Sequence, residues 1–212
     1  MKKSVYSLVL TDEVVDKIDE EAYSMGISRS ALINRILAAH TSYITPQQRV
    51  RQIFGNIGER LEKPFIVLPQ NSDMLFAARK ALKYKYNPTI KYQVEITTDA
   101  NGFCGLLKVM LRTQNERLIE LLDYFFKFFC RIEEKYTGVK KNDFYTIERS
   151  RFTRKLVPEK GSSEEKISDA IVGYINFLDR CIQYFFSNTE DENVFYNIDA
   201  AYIRYLSENK KI

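Results

Sequence analysis

The fold of this chain is decided first at residues 4–43, which read SVYSLVLTDEVVDKIDEEAYSMGISRSALINRILAAHTSY. Apolar residues alternate with a period of two over Ser4–Leu10, which predicts a short β-strand. They then recur at helical spacings, which predicts two amphipathic helices, Thr11–Met25 and Ser28–Tyr43. Gly26, between them, can adopt the positive φ that ends a helix. A unit of about 40 residues rarely buries its own apolar side chains, so the pattern indicates a partner.

Three segments of this unit carry a resemblance to a known family: YSLVLT at residues 6–11, MGISRS at 25–30 and ALINRIL at 31–37. They resemble the ribbon-helix-helix proteins of the Arc, MetJ and CopG type, over about residues 2–43. In that family two chains pair their N-terminal strands into an antiparallel ribbon, four helices close the core, and the ribbon enters the DNA major groove. The resemblance therefore implies a homodimer that binds double-stranded DNA.

The resemblance also implies a role for each face of the strand. Tyr6, Leu8 and Leu10 lie on the bulkier face, which two chains bury between them as they dimerise. Val5, Ser7 and Val9 lie on the opposite face, toward the bases. The complete set of predicted DNA-contacting residues is Lys2, Lys3, Val5, Ser7, Val9, Ser28, Arg29 and Ser30. The two lysines act mainly on phosphates, and the start of the second helix offers free backbone N–H groups to a phosphate.

The outward strand face departs from the family pattern. Family members carry polar side chains there, because base edges present hydrogen-bond donors and acceptors. Here Val5 and Val9 can touch only thymine methyl groups or other apolar surfaces. The alternative is that both valines are covered by another part of the protein or by a partner, and that the unit serves only for dimerisation.

Composition limits the class of protein. With 212 residues, 45% of them hydrophobic, the chain can bury a real core behind the small N-terminal unit. We expect a cytoplasmic protein, because no apolar run reaches the ~18 residues of a membrane span and the N-terminus does not read as a signal peptide. Cys104, Cys130 and Cys181 lie far apart in apolar contexts, which predicts buried thiols in a reducing compartment. His40 is the single histidine, so we expect no metal and no cofactor.

Positive charge is concentrated in residues 47–160, which follow the N-terminal unit in the sequence. Residues 1–46 have a net charge of −1, residues 47–160 have +9, and residues 161–212 have −4. A first basic cluster reads RKALKYKY at residues 79–86. A second contains Arg149, Arg151, Arg154 and Lys155, which we predict as auxiliary phosphate contacts. Either cluster can also be read as a solvated basic face.

Breakers and periodicity divide the rest of the chain. We predict a ribbon-helix-helix unit at residues 1–45, a helical connector at 46–63 and an α+β domain at 64–212. The predicted helices of the connector and the domain are 47–62, 72–84, 115–136, 163–187 and 198–208, and the predicted strands are 65–69, 89–98 and 103–112. The strands 89–98 and 103–112 form a β-hairpin, and the apolar helices 115–136 and 163–187 are long and central. The fold class is therefore α+β and mostly helical.

The element order of the domain is similar to the start of a βαββαβ plan, with residues 144–147 as its last strand. A nickel-responsive repressor joins a ribbon-helix-helix unit to such a domain. Its metal site does not carry over, because no cluster of histidines and cysteines exists here.

No catalytic constellation is present in the sequence, so we do not expect an enzyme. The favoured hypothesis is a homodimeric, sequence-specific DNA-binding protein, a transcriptional regulator such as a repressor. Its C-terminal domain would serve oligomerisation or bind a small-molecule or protein effector. The alternatives are a protein-interaction scaffold in which the N-terminal unit only dimerises, and a plasmid partition or relaxation accessory protein.

Overall fold

The computed structural model describes residues 5–41, 43–99, 102–139, 144–159, 161–208 and 212. These residues form two compact units, one up to Arg49 and the other from Val50 onward. The α+β class is confirmed, because the described residues form six helices and one six-stranded antiparallel sheet. Among them, no helix is both long enough and apolar enough to cross a membrane.

The N-terminal unit contains the helices α1 (Asp12–Ser24) and α2 (Arg29–His40). Gly26 has a φ of 64° in the turn between them, as the sequence predicts for a glycine that ends a helix. The residues of this unit that are buried are Ala22, Leu32 and Ala38. Residues 5–10 form no regular secondary structure in the single chain. The predicted strand thus remains a prediction about the dimer, since a ribbon needs a second copy to pair with.

The sheet of the second unit has the strand order β1-β2-β3-β4-β6-β5. Its strands are β1 (Ile66–Leu68), β2 (Leu75–Ala81), β3 (Thr89–Asp99), β4 (Gly102–Arg112), β5 (Tyr145–Glu148) and β6 (Arg151–Leu156). The predicted hairpin is confirmed, with β3 and β4 in register from Thr89 opposite Arg112 to Asp99 opposite Gly102. Its turn falls partly on residues 100–101, outside the described residues.

The helix predicted at residues 72–84 is wrong, because Leu75–Ala81 is the strand β2. Its alanines and basic residues favour a helix as isolated residues, but pairing with β1 and β3 overrides that weak preference. The βαββαβ plan is therefore also wrong, because no helix separates β1 from β2. Residues 144–147 were predicted as a strand, and β5 confirms this. Its partner β6 lies in a region that the sequence indicated to be irregular.

The remaining helices are α3 (Pro46–Arg60), which belongs to the second unit from Val50 onward, α4 (Glu116–Thr137), α5 (Glu164–Ser187) and α6 (Val194–Glu208). The two long apolar helices are confirmed as α4 and α5. The side chains of Asn115 and Ser163 cap them by accepting from the backbone N–H groups of Leu118 and Lys166. From Val50 onward, the predicted connector helix α3 is packed into the core of this unit, where Ile53 and Ile57 are buried.

One face of the sheet is covered by helices. Phe54 of α3 packs on Phe76 of β2, and Phe126 of α4 stacks on Phe152 of β6 at 4.3 Å between ring centroids. Helix α6 packs on α4 and α5. The opposite face, here called the open face, consists of the side chains that alternate outward: odd-numbered residues on β2, β3 and β6, and even-numbered residues on β1, β4 and β5. Apart from the fully buried Ala77, the open-face residues whose burial is described are partly or fully exposed.

Candidate nucleic-acid interface

The segment predicted to form the ribbon is exposed on both of its faces. Val5 and Val9 of the predicted base-reading face are fully exposed. On the predicted dimer face, Tyr6 is exposed by 83%, Leu8 by 61% and Leu10 by 41%. Apolar side chains this close together are rarely left in water by a monomer. Residues 5–10 of the single chain therefore carry an uncovered apolar strip.

The N-terminus of α2 contains the three residues predicted to hold a phosphate. The Ser28 Oγ lies 3.3 Å from the backbone N of Ala31 and 3.2 Å from the Ser30 Oγ. Within the described residues, no acceptor is found for the backbone N–H groups of Arg29 and Ser30, as is usual in the first turn of a helix. These groups can donate to an anion, and the helix dipole favours one there.

The guanidinium of Arg29 is engaged within the unit. It donates through Nε to Asp19 Oδ1 at 2.5 Å and through Nη2 to Asp19 Oδ2, in a bidentate ion pair that joins α2 to α1. This hydrogen-bonded pair lowers the pKa of the Asp19 carboxyl. A phosphate at Arg29 must therefore share the guanidinium with a carboxylate that stays ionised. The predicted contacts Lys2 and Lys3 lie outside the described residues.

The basic segment 149–155 is divided by the alternation of β6. The prediction that Arg154 contacts phosphate is wrong, because its side chain points into the core, is 5% exposed as a residue and pairs with Glu133. Arg149 forms an ion pair with Glu116, and Arg151 lies 3.5 Å from a Glu148 carboxylate oxygen. Lys155 is exposed and has no ion pair within the described part of the chain.

Glu133 is the centre of a fully buried polar network. Its Oε2 accepts from Tyr174 Oη at 3.1 Å and from Arg154 Nε at 3.3 Å, and its Oε1 accepts from Tyr202 Oη at 3.2 Å. The Arg154 guanidinium also lies 4.2 Å from the centroid of the Tyr174 ring. Because Glu133 is 0% exposed, this network lies within the core and is not accessible to a ligand.

A second buried carboxylate, Asp179, lies between α5 and the sheet. It accepts from Tyr92 Oη at 2.8 Å and forms an ion pair with Lys80, which also lies 4.7 Å from the Phe65 ring centroid. Lys80 belongs to the first basic cluster of the sequence. The strand alternation of β2 thus turns Lys80 inward to a carboxylate and leaves Arg79 outward.

These networks predict a steep loss of stability in alkali. Burial, followed by the charge of Glu133, raises the pKa of Tyr174 well above its usual 10.0, and burial raises that of Tyr92 similarly. The unfolded chain therefore releases these protons first, and the unfolding free energy falls by about 1.4 kcal/mol per pH unit for each tyrosine above pH ~10. The free energy of unfolding, measured with urea between pH 9 and 11, should decrease as the pH rises, and Tyr174→Phe should make this decrease less steep. Tyr86→Phe, at an exposed side chain, should leave it unchanged, and an equal slope in all three proteins would contradict the assignment.

The open face brings together basic residues that lie in separate segments of the sequence. Its cations are Arg79, Lys91, Lys108, Arg112, Arg151 and Lys155, and its described carboxylates are Glu95 and Glu148. Lys108 pairs with Glu95 at 2.7 Å. Arg79, Lys91 and Arg112 have no ion pair among the described residues. Arg79 and Lys91 occupy directly opposite positions of β2 and β3. A face with this balance attracts polyanions.

A signal for this face was present in the sequence. Arg79 lies in the first basic cluster, but the predicted helix placed it on the wrong type of element. The alternation of β3 places Lys91 on the side opposite Ile90 and Tyr92. What the sequence did not supply is the strand order, which sets Arg79 beside Lys91.

The three cysteines are free thiols, and Cys130 and Cys181 are buried as predicted. The prediction that Cys104 is buried is wrong, because this residue is exposed on the open face near the start of β4, opposite Thr97. Burial raises the pKa of the Cys181 thiol to about 12. Among the described residues, no group of His, Cys, Asp or Glu is arranged to hold a metal ion.

A shallow groove of about 320 Å³ lies between α4 and α6, lined by Phe128, Ile132, Lys135, Phe195 and Asp199 among others. Asp199 accepts from Lys135 and from the Tyr136 hydroxyl at this place.

Comparisons of the chain with protein-family models, with curated proteins and with solved structures gave no match.

Proposed function

We propose that this protein is a homodimeric, sequence-specific DNA-binding protein of the cytoplasm that acts as a transcriptional regulator. Residues 5–10 of two copies pair into an antiparallel ribbon, and the ribbon enters the major groove. Val5, Ser7 and Val9 then face the bases, and the N-termini of the two α2 helices meet phosphates on either side.

The observation that carries the proposal is the exposed apolar strip of the N-terminal unit. Leu8, at its centre, shares the bulkier face of the predicted strand with Tyr6 and Leu10, yet it is 61% exposed in the single chain. A second copy supplies a strand of the same pattern and satisfies both the apolar face and the backbone hydrogen bonds. The small core of the unit, formed by Ala22, Leu32 and Ala38, supports the same need for a partner.

The predicted reading face also limits what the ribbon can recognise. Two valines offer apolar contact to thymine methyl groups, and Ser7 offers one donor and one acceptor. We therefore expect a site rich in A·T pairs, with modest discrimination at each base pair, and with part of the affinity supplied by phosphate contacts.

Selection of sites from a random DNA library tests this proposal. The intact protein should enrich a repeated half-site at physiological salt. Ser7→Ala should lose the preference at one position of each half-site, by about tenfold, because one hydrogen bond to a base is lost. Arg29→Ala should weaken binding to all sequences by a similar factor while keeping the enriched site. Arg204→Ala on α6, which removes the same charge from an exposed position, is the control. Failure of the intact protein to prefer any site over bulk DNA would overturn the proposal.

A further inference from the structure

We propose that the open face of the sheet is a second DNA-binding surface, which holds the phosphate backbone of a duplex without reading its sequence. The choice of duplex DNA as the anion rests on the function proposed above. The affinity of the face for a polyanion rests only on its own charges and geometry.

The first observation is a contrast between the two faces of the sheet. On the helix-covered face, Lys80 is paired with Asp179 and Arg154 is paired with Glu133. On the open face, Arg79, Lys91 and Arg112 have no carboxylate partner within the described residues. The protein thus neutralises the cations that it buries and leaves these outward cations available to an external anion.

The second observation is the register of the unpaired cations. Arg79 lies directly opposite Lys91, and like charges at opposite positions of neighbouring strands destabilise a sheet. Arg112 lies opposite Thr89, two residues before Lys91 on the same face of β3, so it is a diagonal neighbour of Lys91. Three cations therefore converge at one end of the open face. A bound phosphate would remove their mutual repulsion.

The third observation is the spacing of the cations across the sheet. Lys91 of β3 aligns through Met110 of β4 with Arg151 of β6, which places the Cα atoms of the two residues two strand spacings, or about 10 Å, apart. Arg79, one strand further, lies about 14 Å from Arg151 by the same measure. These separations bracket the ~12 Å width of the major groove of B-DNA. The two groups of cations can therefore contact the backbones on both sides of one groove.

The side chains between the cations exclude a single strand as the preferred anion. Proteins that bind single-stranded nucleic acid stack its bases on aromatic rings. The described open face presents Leu106, Met110, Gln93 and Thr153 between its charges, and none of its described side chains is aromatic. A duplex, whose bases stay stacked, needs only the backbone contacts that this face provides.

The test compares two variants of the full chain that have the same net charge. One is Arg79→Gln/Lys91→Gln/Arg112→Gln on the open face. The control is Arg117→Gln/Lys166→Gln/Arg204→Gln, at exposed positions of the helices. Binding to a labelled duplex that lacks the selected site is followed by fluorescence anisotropy between 50 and 300 mM salt, and thermal unfolding confirms that both variants are folded.

The open-face variant should reduce the slope of log K against log salt by about 3, at ~0.9 per lost phosphate contact, and should weaken binding near 0.15 M salt by on the order of 100-fold. The control should bind like the unmodified chain. Equal losses in the two variants would overturn the proposal. So would tighter binding to a single strand of the same length, or displacement of the duplex by polyglutamate at an equal charge concentration, which would indicate an acidic protein.

Amine labelling of the unmodified protein provides a readout that does not depend on substitution. The duplex should slow modification of Lys91 and Lys155, as measured by mass spectrometry, and should leave Lys166 of α5 unaffected. Equal labelling with and without the duplex would contradict the proposal. If the site selection finds no preferred sequence but the open-face variant still loses duplex affinity, the ribbon proposal fails and this one stands. If the site selection finds a preferred sequence but the open-face variant keeps its duplex affinity, this proposal fails and the ribbon proposal stands.

Discussion

Replacing Leu8 with aspartate is expected to leave the protein monomeric and unable to bind its selected DNA site. In the proposed ribbon, Leu8 is at the centre of the face that two copies bury against each other. A carboxylate at that position would enter an apolar interface, and a charge buried there without a partner costs several kcal/mol. Because a two-fold interface repeats every contact, the penalty occurs twice in each dimer.

Loss of the dimer should affect DNA binding more than loss of any one contact. Two linked half-site contacts typically bind 10²–10⁴-fold more tightly than either one alone. The Leu8→Asp variant should therefore lose about two orders of magnitude or more of affinity for the selected site. Sedimentation equilibrium measures the dimer, and anisotropy with the selected duplex measures the affinity.

The matched control is Tyr196→Asp, which introduces the same charge at a 73% exposed aromatic residue of α6. This variant should dimerise and bind DNA as the unmodified chain does. A Leu8→Asp protein that remains a dimer would show that residues 5–10 are not the dimer interface. Deletion of residues 1–10 should reproduce the effect of Leu8→Asp on both measurements.

The elements that the sequence predicted well are those whose pattern is strong over many residues. Apolar residues alternate with polar ones in β3 at Ile90, Tyr92, Val94 and Ile96, and α4 and α5 repeat apolar residues over five or more turns. Alternation over that length is incompatible with a helix, and helical spacing over that length is incompatible with a strand. Local pattern and tertiary packing therefore agree in these elements.

The elements that were missed depend on contacts that a local pattern does not contain. Leu75–Ala81 contains good helix formers, and only its neighbours β1 and β3 make it a strand. In the sequence, Arg154 is one more cation of a basic run. In the structure, β6 pairs with β4 and β5. Alternation then sets Arg154 beside Glu133, 21 residues earlier in the chain. Strand order cannot be read from spacing alone, so neither the open face nor the buried network was predictable.

Replacing Glu133 with alanine is expected to lower the free energy of unfolding by about 3–5 kcal/mol, because it breaks a buried ion pair and leaves a charge in the core. Arg154 would keep its guanidinium over the Tyr174 ring with no carboxylate to compensate it. The hydroxyl groups of Tyr174 and Tyr202 would lose their acceptor as well. In a domain with a typical 5–15 kcal/mol of stability, this loss is a large fraction of the total.

Urea unfolding measures this loss, and thermal unfolding should show a fall in Tm of about 6–20 °C, at 2–4 °C per kcal/mol for a unit of this size. The stability of Glu133→Gln should lie between those of the unmodified protein and Glu133→Ala, because the glutamine amide oxygen still accepts from a tyrosine but carries no charge. Glu134→Ala, at the neighbouring position, removes a carboxylate that forms no ion pair with Arg154 and should have a smaller effect.

The double variant Glu133→Leu/Arg154→Met tests whether the stability lost in Glu133→Ala comes from the unpaired charge or from the lost packing volume. Replacing both members of a buried ion pair with apolar residues of similar volume is often neutral or stabilising, whereas removal of one member is not. The double variant should therefore be more stable than Glu133→Ala by at least 2 kcal/mol, with a coupling energy of comparable size. Additive losses from Glu133→Leu and Arg154→Met would instead mean that each side chain contributes by packing alone. In that case the network would not be what holds α4, α5 and α6 to the sheet, and the wild-type order of these helices would rest on their aromatic contacts.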